Sequence, residues 1–256
     1  SYNASNIMIP NKLNQGDKVA IVATARAISK EELSQAVDLF KSWGLGVIFG
    51  ANLFKIENQF AGNDDERAND LQEMIDNNEV KAIFCARGGY GTARIVDKID
   101  FSNLKNNPKW IVGYSDVTSL HTHLNNLQLS TLHATMPINI PLNTKSSLES
   151  LYACLFENSN SIICASHLLN KEGVVSGEIV GGNLSVIYSL IGSPSASSTA
   201  DCMFALNCAG VPVPPVIKSG SLPPLSLKLS SFGSALLPNK LNAPRPKAPT
   251  LNGLKT

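Results

Sequence analysis

Gly113-Tyr114-Ser115-Asp116 is the stretch whose residue types and order most suggest chemistry. It follows an apolar run, Trp110–Gly113, and precedes a helical pattern over about 117–126. A serine on such a strand-to-helix turn projects its hydroxyl from the edge of a sheet. The N–H of the next residue can then stabilise an oxyanion. The usual nucleophile elbow is GxSxG, whereas the last position here is Val117. On spacing alone two readings stand: a nucleophile at Ser115, or a Ser/Asp cap at an ordinary strand–helix junction.

Arg87-Gly88-Gly89-Tyr90-Gly91 follows a second apolar run, Val80–Ala86. Its glycines would let a ligand approach the backbone, and Arg87 can grip a carboxylate through two parallel hydrogen bonds. A plain tight turn explains the same glycines. The segment matches neither GxGxxG nor GxxxxGK[ST], and the first strand-to-helix turn, Ala23-Thr24-Ala25-Arg26, has no glycine. A nucleotide cradle is therefore not expected.

The histidines are His121, His123, His133 and His167. A spacing of two puts His121 and His123 on different sides of a helix, so they cannot form an i,i+4 metal pair. Each is expected to be a core or solvated histidine, and no metal site is expected. Cys85, Cys154, Cys164, Cys202 and Cys208 show no CxxC spacing, which fits free thiols in a reducing compartment.

These loops need elements to hold them. Lys18–Thr24 is an apolar run of the kind a buried parallel strand requires. Ser29 and Glu32 form a capping box for a helix over about 30–43, closed by Gly44. Val47–Gly50 predicts a short strand, and residues 64–77 a helix with Leu71, Met74 and Ile75 on one face. Further helices are expected over 92–98 and from a capping box at Ser146 and Glu149 to about 156. Strands alternating with helices predict an open, mainly parallel α/β sheet. In such sheets ligands sit at the carboxyl ends of the strands, where both loops fall.

Residues 173–182 are Gly-punctuated and β-rich and are expected to open a second domain. Asn183–Ile191 predicts a short amphipathic helix stopped by Gly192. The run Ile179–Ile191 is broken by Gly181, Gly182 and Asn183, too short and polar to cross a bilayer.

The chain has 256 residues, 43% hydrophobic and 16% charged, enough to bury a sizeable core. A net charge of +1 gives no basic footprint for nucleic acid. The balance is uneven along the chain. Residues 1–196 carry 15 basic and 19 acidic side chains, whereas residues 197–256 carry 6 and 1. That last stretch is rich in Pro, Leu and Ser, without helical or strand period. It is expected to be an irregular tail, of a composition that a frameshift would produce. No basic-then-apolar leader opens the sequence, so a cytoplasmic, soluble protein is expected.

Five segments, taken together and in order, resemble the LD-carboxypeptidase family of serine peptidases, which includes the microcin C immunity peptidases. They are residues 16–24 (GDKVAIVAT), 60–72 (FAGNDDERANDLQ), 82–101 (AIFCARGGYGTARIVDKIDF), 108–121 (PKWIVGYSDVTSLH) and 177–194 (GEIVGGNLSVIYSLIGSP). The resemblance covers about residues 14–196. It implies a flavodoxin-like α/β domain over residues 1–165 that carries the nucleophile. A smaller β-rich domain would begin at 170–196.

It also implies cleavage of an L,D-peptide bond, releasing a C-terminal D-amino acid from cytoplasmic murein tetrapeptide. Carried over residue by residue, Ser115 matches the nucleophile. The backbone N–H of Asp116, with one from Gly88 or Gly89, matches the oxyanion hole, and Arg87 lies near the substrate carboxylate. No metal or organic cofactor is implied, and a homodimer is. The sequence departs from the family in two ways. Its general-base His and orienting Glu belong to the second domain, yet no Glu follows Glu178 here and no His follows His167. Where the family has HGPM, this chain has His133-Ala134-Thr135-Met136. Impaired hydrolysis is therefore expected, with a non-catalytic peptide- or small-anion-binding domain as the alternative.

Overall fold

The computed structural model describes residues 7–159, 179–197, 203–207 and 217–218. All fall in one compact unit, built from residues 1–163 and 175–227. The other unit, residues 164–174 and 228–256, lies outside the described residues, as do His167, Cys164, Cys202 and Cys208.

Five parallel strands form the sheet: β1 (Lys18–Val22), β2 (Gly46–Phe49), β3 (Val80–Cys85), β4 (Trp110–Gly113) and β5 (Leu132–His133). Their order in space is β2-β1-β3-β4-β5, the doubly wound arrangement expected of a flavodoxin-like domain. The chain turns outward in opposite directions from β1 and β3, so the loops that leave these two strands flank a crevice.

Both faces of the sheet are covered, which explains its continuous apolar runs. Side chains alternate between two cores. Val19, Ile21, Phe84, Trp110 and Val112 pack with Phe40 of helix α1 (Lys30–Ser42) and with Leu151 of α6 (Lys145–Tyr152). Ala20, Val22, Ile83 and Ile111 pack with Leu71 and Ile75 of α2 (Asp64–Asp76) and with Leu120 and Leu124 of α5 (Thr118–Asn126). The Phe40 and Phe84 rings meet at 4.4 Å. Each such fully buried side chain contributes about 1.5–3 kcal/mol.

The helix starts follow local chemistry. Ser29 and Asn63 each close a capping box, with Glu32 and Glu66 respectively. At α6 the cap differs from the expected Ser146 pair. Thr144 holds the extended conformation and its hydroxyl accepts from the Ser147 N–H at 3.2 Å, so the helix begins two residues earlier, at Lys145. The expected helix at 92–98 divides into α3 (Thr92–Ile95) and a 3-10 turn, and a short α4 (Asn103–Asn106) follows.

Further along the chain, β6 (Ile179–Asn183) leads into α7 (Leu184–Ser189). The Asn183 N–H donates to Thr118 Oγ1 at 3.0 Å and the Asn126 side-chain amide donates to the Ala196 carbonyl at 2.8 Å, which fixes this segment along α5. The structure differs at two places in the stretch expected to be irregular. β7 (Met203–Asn207) pairs in parallel with β6, and β8 (Ile217–Lys218) pairs antiparallel with β5. Two- and five-residue pairings supply backbone hydrogen bonds without needing a visible side-chain period. The remainder of 197–256 lies outside the described residues, apart from Ser197.

Candidate active site

Four loops meet at the carboxyl edge of the sheet: 23–26 after β1, 86–91 after β3, 114–116 after β4 and 134–136 after β5. Ser115 starts a 3-10 turn, Ser115–Val117, immediately after β4. Its φ is +60°, a left-handed conformation that a non-glycine residue adopts at a cost of order 1–3 kcal/mol. Tyr114 is extended just before it, so the chain reverses sharply at the serine. Tight packing enforces this turn. A Cβ on Gly113 would lie 2.8 Å from Cγ2 of Val117, and only glycine lets the helix start so close to the strand. Among the described residues, the Ser115 hydroxyl has no hydrogen-bond partner.

Gly88 lies directly opposite. A Cβ there would sit 3.4 Å from the Asp116 Cβ and 3.6 Å from the Asp116 backbone nitrogen. Gly88 thus stands against Asp116, the residue that follows Ser115. At a helix start the first N–H groups have no intrahelical acceptors, so the Asp116 N–H is of the kind that can hold an anion.

The Asp116 side chain does something the sequence did not suggest. It is buried, and its carboxylate accepts from the Thr92 N–H at 3.0 Å and the Thr92 hydroxyl at 2.7 Å. Thr92 Oγ1 also shares a 2.9 Å hydrogen bond with Thr24 Oγ1. One buried chain, Thr24–Thr92–Asp116, therefore ties the ends of β1, β3 and β4 together. The partners lie 24 and 68 residues apart, a pairing that local pattern cannot reveal. Cys85 sits in the same interior, where burial pushes its thiol up to about 12 and keeps it protonated.

The described histidines are committed elsewhere. His121 is buried with Nε2 on the Gly113 carbonyl at 2.9 Å and Nδ1 on the Thr131 hydroxyl at 2.8 Å. A carbonyl can only accept, so Nε2 carries the proton and Nδ1 accepts from Thr131. Burial holds its pKa down to about 4. His123 meets the Ser195 hydroxyl at 2.9 Å through Nδ1 and packs on the Phe101 ring. His133 lies beside His121, ring centres 5.7 Å apart, and burial pushes it down to about 3. Its Nε2 is buried without a partner among the described residues.

Arg87 is partly engaged within the protein: Nη1 donates to the Ala27 carbonyl at 3.1 Å and lies 3.7 Å from the Glu32 carboxylate. Arg26, which sequence reasoning passed over, lies across Gly89. Its one visible signal is its place just after the first strand. Among the described residues, no group of three or more His, Cys, Asp or Glu side chains could hold a metal ion. No helix among them is long and apolar enough to cross a membrane.

The sheet is doubly wound, and at its carboxyl edge a left-handed Ser115 stands at a strand-to-helix turn beside a glycine loop. Residues 19–134 match the family described as the LD-carboxypeptidase N-terminal domain. It is 39% identical over 193 residues to a probable murein peptide carboxypeptidase of Bacillus subtilis (strain 168), an alignment covering 72% of this chain and 60% of that protein. A crystal structure of muramoyltetrapeptide carboxypeptidase from Oxalobacter formigenes aligns with TM-score 0.68 and 25% identity, covering 75% of this chain and 65% of that one. The MccF-like protein from Bacillus anthracis str. Ames shares the fold, with TM-score 0.70 and 23% identity over 78% of this chain and 69% of that one. The chain thus spans about three-fifths of the length of the Bacillus subtilis relative.

Proposed function

We propose that this chain carries the nucleophile domain of a serine-type LD-carboxypeptidase acting on murein-derived peptide in the cytoplasm, as part of peptidoglycan recycling. The observation that carries this is the left-handed Ser115 between β4 and its 3-10 turn, with Gly88 packed against the Asp116 N–H. Ser115 Oγ attacks the carbonyl carbon of the L,D-peptide bond while a general base takes its proton, the same proton that later passes to the departing amine. The oxyanion accepts hydrogen bonds from the Asp116 N–H and from an N–H of the Gly88–Gly89 turn. The C–N bond then breaks, the departing D-amino acid takes a proton on its amine, and water hydrolyses the acyl-serine. Residues 1–165 form the nucleophile domain in this reading, and residues 170–196 begin the second.

A serine hydroxyl needs a base to become nucleophilic at neutral pH. None of His121, His123 and His133 is described as bonded to Ser115, and two of them have their hydrogen bonds elsewhere. This favours, as a second reading, an intact peptide-binding site with little turnover. The test compares the 256-residue chain with a chimera carrying the remainder of the Bacillus subtilis relative after residue 194. The chain is expected to release D-alanine from murein tetrapeptide near the background rate, and the chimera faster by orders of magnitude. A chimera with no gain over the chain would contradict the peptidase reading.

A further inference from the structure

Among the described residues, three of the four arginines face a carboxylate. Arg67 and Arg94 both bond Asp64, and Arg87 lies beside Glu32. Arg26 is the exception. It is exposed, and its guanidinium makes one long hydrogen bond, Nη2 to the neutral Gln59 side-chain carbonyl at 3.3 Å. An exposed arginine without an acid is ordinary on a surface. This one is held at the site by the backbone. Gly89 has φ +113°, and a Cβ there would lie 2.6 Å from the Arg26 Cδ, 2.9 Å from its Cγ and 3.1 Å from its Nε. The arginine stem therefore passes over Gly89, through the space that a Cβ there would take.

We propose that Arg26, rather than Arg87, receives the C-terminal carboxylate of the peptide. The proposal rests on the LD-carboxypeptidase reading above. A scissile carbonyl held at Gly88 and Asp116 leaves one residue of peptide beyond the cleaved bond. One residue spans about 3.3–3.6 Å, the order of the step from Gly88 to Gly89. The terminal carboxylate then falls where the Arg26 guanidinium lies. A guanidinium binds a carboxylate through two parallel hydrogen bonds, and a stem already fixed on Gly89 loses little freedom on binding. Arg87 is a poorer candidate because its Nη1 already donates to the Ala27 carbonyl and its charge lies 3.7 Å from the Glu32 carboxylate. Recognition of a free carboxylate beyond the scissile bond would restrict cleavage to the last residue of the peptide.

The test measures binding of two peptides to the full chain by calorimetry: murein tetrapeptide ending in D-alanine, and the same peptide ending in D-alaninamide. Mass spectrometry confirms that both remain intact. The wild type should prefer the acid by about 10- to 100-fold, the worth of a charge-assisted hydrogen bond. Arg26→Gln should bring the ratio close to one, Arg26→Lys should retain part of it, and Arg87→Gln should leave it unchanged. Thermal melts of each variant establish that it is folded. Equal binding of acid and amide by the wild type, or an unchanged ratio in Arg26→Gln, would overturn the assignment to Arg26 alone. So would loss of the ratio in Arg87→Gln. Failure of the wild type to bind either peptide would overturn the LD-carboxypeptidase reading along with it.

Discussion

Ser115 combines a strained backbone, φ +60°, with a hydroxyl unclaimed by any described residue, and strain of this kind persists only where surrounding packing enforces it. The enforcing contact is Gly113 against Val117. Gly113→Ala would drive a methyl into the Val117 side chain at 2.8 Å, either unfolding the turn or rotating Ser115 out of place. Overpacking of this kind costs about 1–3 kcal/mol. A denaturant titration should show that loss, and the chimera carrying Gly113→Ala should lose D-alanine release more steeply than stability. Thr92 is the second residue whose removal should be felt. Thr92→Val strips a 2.7 Å hydrogen bond from a buried carboxylate, and bonds to charged groups are worth about 1.5–3 kcal/mol. Thr92→Ser keeps the hydroxyl and should recover most of the stability. Equal midpoints for the Val and Ser variants in urea would show that the bond to Asp116 contributes nothing.

At the scale of elements, β5 and its neighbour α5 carry the pH dependence. His121 on α5 and His133 on β5 are both held below their ordinary pKa by burial, to about 4 and about 3. The unfolded chain therefore binds more protons than the folded one as pH falls below about 6.5. Stability is full above that pH and is lost progressively as pH drops through 4 to 3. For His121 the loss is on the order of 3 kcal/mol. His121→Asn keeps a donor for the Gly113 carbonyl and should flatten the stability profile between pH 6 and 4. An unchanged slope in that variant would refute the assignment. Much of this architecture was legible beforehand, because β1, β3 and β4 are largely apolar runs and α1 opens with the Ser29–Glu32 capping box. β5 was not, since two residues cannot display a period. The elbow at Ser115 was visible as glycine, aromatic and serine ending an apolar strand. The Thr24–Thr92–Asp116 chain and the Arg26–Gly89 contact were hidden, because each joins residues that only the doubly wound topology brings together.

For the molecule as a whole, Ser115 stands in a strained turn with no base bonded to it among the described residues. The chain spans 60% of the length of its Bacillus subtilis relative, and its composition changes sharply after residue 196. Nucleophile and base would then lie on different parts of a complete enzyme, and supplying the second part should restore turnover to the first. Without the base, Ser115→Ala in the 256-residue chain should change D-alanine release little. A rapid, Ser115-dependent release by that chain would reveal a base among its own residues. The most direct measurement is to trap the acyl-enzyme. The chimera is mixed with murein tetrapeptide, quenched in acid during turnover and digested for peptide mapping by mass spectrometry. One modified fragment is expected, bearing the acyl group of the substrate minus its terminal D-alanine on Ser115. Turnover with an unmodified Ser115, or with the acyl group on another residue, would contradict it.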